Sequence, residues 1–343
     1  MREVAEAVGV STMTVSNALS GRRYVSPATR QRILEVMERT GYQVNVAARN
    51  LRQGRSGTIG LGVPELDSPY FGMLAARLVE RLSLEGLRVA VEQTGASREG
   101  ELAAITDSRV NAYDALVLSA TGLSASDLAG LAGDLPVVLL GERQDMTRFD
   151  HVEMPNLAGA EAAARSLLER GCRHLAVLGT PDLDAPGATD APGSRADHAF
   201  DAFRLRADGV RRALADHPAA TAVAVRRSTV FLADGAALVG DALALQPQTD
   251  GFVCATDTLA LGALRGLADR GVRVPDDVLV IGFDDVTQGA FSVPSLSTVA
   301  PDHAGMVEAT VRLLVRRLKD RSAPPERFVA DYALVHREST TRP

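Results

Sequence analysis

From Thr58 onward the chain alternates short apolar runs with stretches of helical period, and it does so twice. The first series of apolar runs is 59–63, 89–92, 115–119 and 137–140; the second is 175–178, 222–225, 252–255 and 279–282. Helical patterns lie between them, such as 73–84 with Leu74, Leu78 and Leu82 on one face, then 156–170, 207–215 and 259–270. Short apolar strands joined by helical crossovers fit parallel sheets covered on both faces. Two sets of four predict two similar α/β lobes, each a doubly wound parallel sheet, with a cleft between them. Ligands of such sheets collect at the carboxyl ends of the strands, so the turns after strands are the expected binding positions. The stretch 180–201, rich in Pro, Gly, Ala and Asp, predicts a surface loop.

Residues 1–57 have a different texture. Three short helices fit the first 40 or so residues: 2–8 with Val4, Ala5 and Val8 inward, 12–19 with Val15, Ala18 and Leu19 inward, and one opened by Ser26-Pro27 with Ile33, Leu34 and Met37 as apolar positions. Gly9 offers a turn position that tolerates positive φ, and Ser11 stands where a helix cap is wanted. A small residue at the helix crossing, a glycine turn and an aliphatic lock, here Ala5, Gly9 and Val15, make a helix-turn-helix. Its second helix then presents Thr12, Met13, Ser16 and Asn17, side chains able to reach base edges in a major groove. Residues 45–52 have too little apolar surface to fold alone, and 53–57 read as a polar linker.

Charge divides the chain at the same place. The first 57 residues hold nine arginines against four glutamates, a net +5; since the whole chain carries −6, the remainder carries −11. A small basic head on an acidic body points to an anion-binding module, nucleic acid above all, attached to something that does not bind anions. The longest apolar runs fall far short of the roughly 18 residues that cross a bilayer, and the first residues lack the apolar core of a secretory signal. A cytoplasmic protein is expected. Cys172 and Cys254 are far apart with no C-x-x-C partner, which predicts buried thiols rather than a disulfide or a zinc site. The six histidines form no metal-binding spacing, and no nucleophile elbow or phosphate-binding glycine loop is present. Asp284 and Asp285, adjacent at a strand end, would point to opposite sides rather than act as a pair. Neither an enzyme nor a cofactor is expected; a transport-type sugar-binding protein or a sugar-active enzyme is the alternative reading.

The motifs Val4-Ala5-Glu6-Ala7-Val8-Gly9-Val10-Ser11, Thr14-Val15-Ser16-Asn17-Ala18-Leu19, Tyr24-Val25-Ser26 and Ala48-Arg49-Asn50-Leu51-Arg52 lie in the head. Ser68-Pro69-Tyr70-Phe71, Arg206-x-x-Gly209, Ala255-Thr256-Asp257, Gly282-Phe283-Asp284-Asp285 and Pro294-Ser295-Leu296-Ser297-Thr298-Val299 lie in the body. In this order, and over nearly the whole chain, they closely resemble the lactose/galactose repressor family of bacterial transcription regulators. The resemblance implies a helix-turn-helix domain over 1–44, a hinge helix and linker over 45–57, and a two-lobed body over 58–343 like the periplasmic sugar-binding proteins. It implies a homodimeric repressor on a palindromic double-stranded DNA operator, controlled by a small metabolite in the cleft, a sugar by default.

The DNA contacts it implies are Ser11, Thr12, Met13, Thr14, Ser16, Asn17, Arg22, Tyr24, Asn45, Ala48 and Leu51, with Leu51 matching the family's minor-groove wedge. The effector contacts it implies are Ser68, Tyr70, Phe71, Arg206, Asp257 and Asp284. The chain departs from the family pattern at several places. Asn17 stands where many members have arginine, and Val44 replaces a proline before Asn45. The chain begins a residue or two later than is usual, which suggests a start upstream of Met1. In the body, Thr256 replaces an asparagine, Pro155 an aspartate and Cys172 a histidine, and there is no Trp for a tryptophan platform.

Overall fold

The computed structural model describes residues 1–19, 24–42, 55–132, 135–141, 148–183 and 201–342. Residue contacts divide the chain into Met1–Ser56 and Gly57–Pro343. The first unit is three helices, α1 (Arg2–Val8), α2 (Thr12–Leu19) and α3 (Pro27–Thr40). Gly9 ends α1 at φ 74°, its N–H closing onto the Ala5 and Glu6 carbonyls, a left-handed turn a side chain would strain. Ser11 then caps α2 by accepting from Thr14 N at 3.0 Å, and Ser26 caps α3 by accepting from Thr29 N at 3.1 Å. Val4, Ala5, Val8, Val15, Ala18, Ile33 and Val36 close the core. Leu34, expected inside, is 46% exposed, and Val36 takes its place, because the inward row of α3 runs through 33, 36 and 37.

The second unit holds two six-stranded sheets. In the first lobe the elements run β1 (Thr58–Val63), α4 (Pro69–Leu84), β2 (Arg88–Gln93), α5 (Arg98–Val110), β3 (Ala115–Ser119), α6 (Ala125–Ala132), β4 (Val137–Leu140) and β5 (Asp150–Glu153). The second lobe follows with α7 (Asn156–Glu169), β6 (His174–Leu178), α8 (Asp201–Ala215), β7 (Thr221–Val225), α9 (Leu232–Leu245), β8 (Gly251–Cys254), α10 (Asp257–Ala268), β9 (Leu279–Phe283), α11 (Thr287–Ala290) and β10 (Ser297–Pro301). The chain then crosses back with α12 (His303–Lys319), adds β11 (Arg327–Val329) beside β5, and crosses again to lay β12 (Tyr332–Val335) antiparallel to β10. All other pairings are parallel. The expected four strands per lobe are therefore six, and the second sheet is mixed. Strand β8 also stops at Cys254, one residue short of the expected end.

Three segments cross between the lobes, at 153–156, 301–303 and 329–332, and they hydrogen-bond to one another: Ala330 N donates to the Glu153 carbonyl at 2.9 Å and Asp302 N to the Asp331 carbonyl at 2.8 Å. Helix α12 packs its Met306, Leu313 and Leu314 into the first lobe's core with Leu74, Leu78 and Val138. Helices α7 and α8 instead cover the second sheet through Ala163, Leu167, Ala207 and Val210. Both cysteines are buried thiols, and burial pushes the Cys172 thiol up to about 12. No helix among the described residues is long and apolar enough to cross a membrane.

Candidate functional site

Within the head, α2 is fixed from one side by its buried Val15 and Ala18 and leaves the other side open. Thr12 and Met13 are exposed, Met13 at 69%, while Thr14, Ser16 and Asn17 are half-buried. Tyr24, before α3, is 92% exposed. Ser11 is occupied locally: besides capping α2, its hydroxyl lies 2.9 Å from that of Thr14. A polar row on the face opposite the core is what a groove-reading helix requires. Arg22, Asn45, Ala48 and Leu51 lie outside the described residues.

In the body, the R-x-x-G motif acts through close packing. A Cβ on Gly209 would fall 2.3 Å from the Leu157 carbonyl, so only glycine lets α8 approach α7 this closely. That approach brings Arg206, one turn earlier, onto the first crossover. Its Nε donates to Asn156 Oδ1 at 2.6 Å, one Nη donates to the Ala255 carbonyl, and the other lies 3.2 Å from Met154 Sδ. The guanidinium stacks 3.7 Å from the Phe283 ring centroid and stands 3.6 Å from the Asp284 carboxylate. Both charged side chains are almost fully buried. Burial raises the Asp284 pKa well above the carboxylate range despite Arg206, with the neighbouring Asp257 pushing the same way.

Asp284 and Asp285 do not continue the strand. Their φ values are 119° and 49°, left-handed backbone that L side chains rarely adopt. The expectation that the two carboxylates diverge holds, through a turn rather than an extended strand: Asp284 faces Arg206 while Asp285 accepts from Arg337 at 2.7 Å. The turn is held from several directions. Asp284 N donates to the Val299 carbonyl at 2.9 Å, His303 Nε2 reaches the Asp284 carbonyl at 2.6 Å, and Asp257 Oδ2 accepts from Val286 N at 2.9 Å. Asp257 Oδ1 accepts from Thr298 Oγ1 at 2.6 Å. Each Asp257 oxygen accepts a bond from the protein and the residue has no exposed surface, so it supports the turn from below. Burial raises its pKa as well.

The first lobe contributes the N-terminus of α4, where Ser68 is the capping residue and Pro69 the first helical residue. The Tyr70 and Phe71 rings pack edge to face at 4.9 Å, and Tyr70 lies 6.0 Å from the His303 ring. Tyr70, His303, Asp284 and Arg206 therefore form a continuous wall across the junction of the lobes. Sequence reasoning did not single out Asn156, Thr180 or His303. Asn156 had a visible signal, a Pro-Asn pair opening a helix; His303 had none, because its place depends on β10 and the second crossover. Among the described residues, no group of three or more His, Cys, Asp or Glu side chains is placed to hold a metal.

A helix-turn-helix head joined to a two-lobed body with a buried polar cluster at the junction of its lobes defines a ligand-responsive DNA-binding regulator. Comparison with known proteins agrees. Residues 1–45 match the bacterial regulatory proteins of the lacI family, and 164–340 match the periplasmic binding protein-like domain. The HTH-type transcriptional regulator MalR of Streptomyces coelicolor is 31% identical, over 99% of this chain and 96% of its own. The structure of a transcriptional regulator CelR-cellobiose complex matches 98% of each chain at 26% identity and TM-score 0.69. The lac repressor dimer bound to operator and the anti-inducer ONPF shares the fold, with TM-score 0.79 at 22% identity over 99% of this chain and 98% of that one. The chain belongs to the LacI family of transcriptional regulators.

Proposed function

We propose that this regulator is a homodimeric repressor whose heads read the two halves of a palindromic operator and whose cleft takes a neutral sugar that changes its hold on DNA. The observation that carries the reading is the buried Arg206–Asp284 pair at the lobe junction, with the Tyr70 ring across from it on His303. A guanidinium and a carboxyl side by side are donor and acceptor for vicinal hydroxyls, and an aromatic ring suits a sugar's apolar face. Relatives support the ligand class: one is the CelR-cellobiose complex, and another is a LacI-family regulator from Enterococcus faecium with bound ribose, alike in fold at 18% identity.

In this reading Tyr70, Phe71, Arg206 and Asp284 line the effector site with Ser68 at its edge, and Asp257 positions the 284–286 turn. Thr12, Met13, Ser16, Asn17, Arg22 and Tyr24 contact the operator, with Ser11 and Thr14 fixing the start of the reading helix. Residues 45–57 are the hinge, whose Asn45, Ala48 and Leu51 enter the minor groove. The protein works in the cytoplasm and performs no catalysis. The test is selection of operators from random DNA by the purified chain, followed by release assays with a panel of neutral sugars. A selected site without two-fold symmetry rejects the dimeric reading, and a panel in which no sugar alters binding rejects the effector reading.

A further inference from the structure

Among the described residues few buried polar side-chain atoms lack a partner, and three of them collect around one ion pair. Asn156 Nδ2, Thr180 Oγ1 and His303 Nδ1 have no hydrogen bond within the protein. Asn156 takes the Arg206 Nε–H on its other side. Thr180 lines, with Arg206, a narrow recess under α8. His303 holds the Asp284 carbonyl. Leaving a buried polar atom unpaired is costly, so Asn156 and His303, each bonded to one member of the pair, point to a ligand that supplies their partners. His303 is the chemically specific one. A carbonyl oxygen only accepts, so Nε2 carries the proton; in the neutral ring Nδ1 is then a bare acceptor that needs a hydrogen donor.

We propose that His303 is a specificity-determining residue of the cleft: Nδ1 accepts a hydrogen bond from a ligand hydroxyl while Nε2–H holds the Asp284 main chain, so the site selects a neutral polyol and disfavours a ligand presenting phosphate or carboxylate oxygen there. The proposal rests on the effector reading above. Asn156 Nδ2 donates to a second ligand oxygen, and the Thr180 hydroxyl serves as donor or acceptor to a third. The charged and titratable groups facing His303 are Arg77 and Tyr70 from α4, Asp302 from its own helix start, and Asp284 and Asp285 from the turn. Burial lowers the His303 pKa, opposed by its bond to the Asp284 carbonyl and aided by Arg77. The ring is neutral near pH 7, and acidification places a proton on Nδ1 and removes the acceptor.

The test uses the full chain and a panel of neutral sugars that includes D-ribose, D-xylulose and cellobiose, screened by thermal shift. The best binder is then measured by calorimetry at about pH 7.5, where the ring is neutral. His303→Gln keeps one donor and one acceptor without titrating; His303→Phe keeps a ring and loses both. The expected result is affinity roughly 10- to 100-fold weaker in His303→Phe and within about threefold of wild type in His303→Gln. Should His303→Phe fold poorly, His303→Leu, which also lacks donor and acceptor, takes its place. Binding by the variant without donor and acceptor within about threefold of wild type, or tighter binding of the sugar's phosphate ester than of the sugar, overturns the proposal and leaves the effector reading standing. A wild type that binds no member of the panel overturns both.

Discussion

Arg206 and Asp284 stand 3.6 Å apart with almost no solvent on either, and the arginine is also bonded to the first crossover at Asn156 and to the carbonyl of Ala255, just past the end of β8. The side chain expected to bind ligand is thus also a strut, tying α8 to three other segments. If a ligand binds Arg206 as proposed, any shift of this guanidinium is felt at a lobe crossover through Asn156, which would couple the cleft to the relative posture of the lobes.

Truncating that strut should be felt in stability as well as in ligand response. Arg206→Ala leaves the Asn156 amide oxygen and the Ala255 carbonyl without their donor and Asp284 without its ion-pair partner. Removing one partner of a buried pair costs about 3–5 kcal/mol, at the lower end here because Asp284 can take up a proton. Arg206→Lys keeps the charge but loses the planar fork and should fall between. Thermal melting of the three proteins measures this; a melting point unchanged in Arg206→Ala would show that the strut carries no load.

The raised carboxylates make a signed pH prediction. Asp257 and Asp284 have folded-state pKa values above their ordinary 3.8, so the folded state holds protons that the unfolded state has released. Their contribution to stability is greatest at low pH and is lost as pH rises through the raised values, by at most about 1.4 kcal/mol per pH unit for each group. The buried His151 and His303 act oppositely, since their lowered values favour folding as pH rises, but only up to the ordinary 6.5. Above that value the carboxylate effect stands clear, and denaturant melts between about pH 6.5 and about pH 8 should show stability falling. Asp284→Asn should flatten the slope. A wild type that gains stability across that interval contradicts the assignment.

How much of this was legible in the sequence depends on how locally each element is determined. Strands β3 and β4, LVL and VVLL runs buried on both faces, were readable to the residue, as were α1 and α2 with their glycine and serine signals. Strand β5 was not, because its sequence Asp150-His151-Val152-Glu153 looks like a loop. Its acidic residues are buried beside long-range partners, Arg316 and Arg317 pairing with Asp150 and Arg327 with Glu153, all more than 160 positions away. Strands β11 and β12 are similarly short, and they exist because their neighbours offer edges. In the candidate site, Arg206 and Asp284 were named from motifs, whereas the places of His303 and Thr180 depend on crossovers and packing that no local window contains.

Separating the two units tests where DNA affinity resides. A chain starting at Gly57 keeps the bond from Gly57 N to Asp114 Oδ2 at 2.9 Å and the whole of β1, so it should fold and melt as a body. It should show no binding to the selected operator at low salt. The intact chain should bind with a strong salt dependence, a slope of about −0.9 per neutralised phosphate, as expected of its +5 head. Operator binding retained by the shortened chain would place the DNA surface elsewhere.

Asn17 offers the sharpest test of the reading helix. It is half-buried on α2, one residue before the buried Ala18, where it can reach a base edge or a phosphate. An amide pairs bidentately with adenine N6 and N7, whereas arginine suits guanine O6 and N7. If Asn17 reads adenine in each half-site, Asn17→Arg should move the preferred base at one symmetric position toward guanine. Each bidentate pair discriminates by about 1–3 kcal/mol, and a dimer places it twice, so about 2–6 kcal/mol per operator is at stake. A phosphate contact gives a different signature, because phosphates carry no sequence information: the added charge would change affinity and salt slope across all sites alike. Operator selection with both proteins separates the two. A uniform change in affinity with no altered base at any symmetric position would assign Asn17 to the backbone and leave base reading to Thr12, Met13 and Ser16.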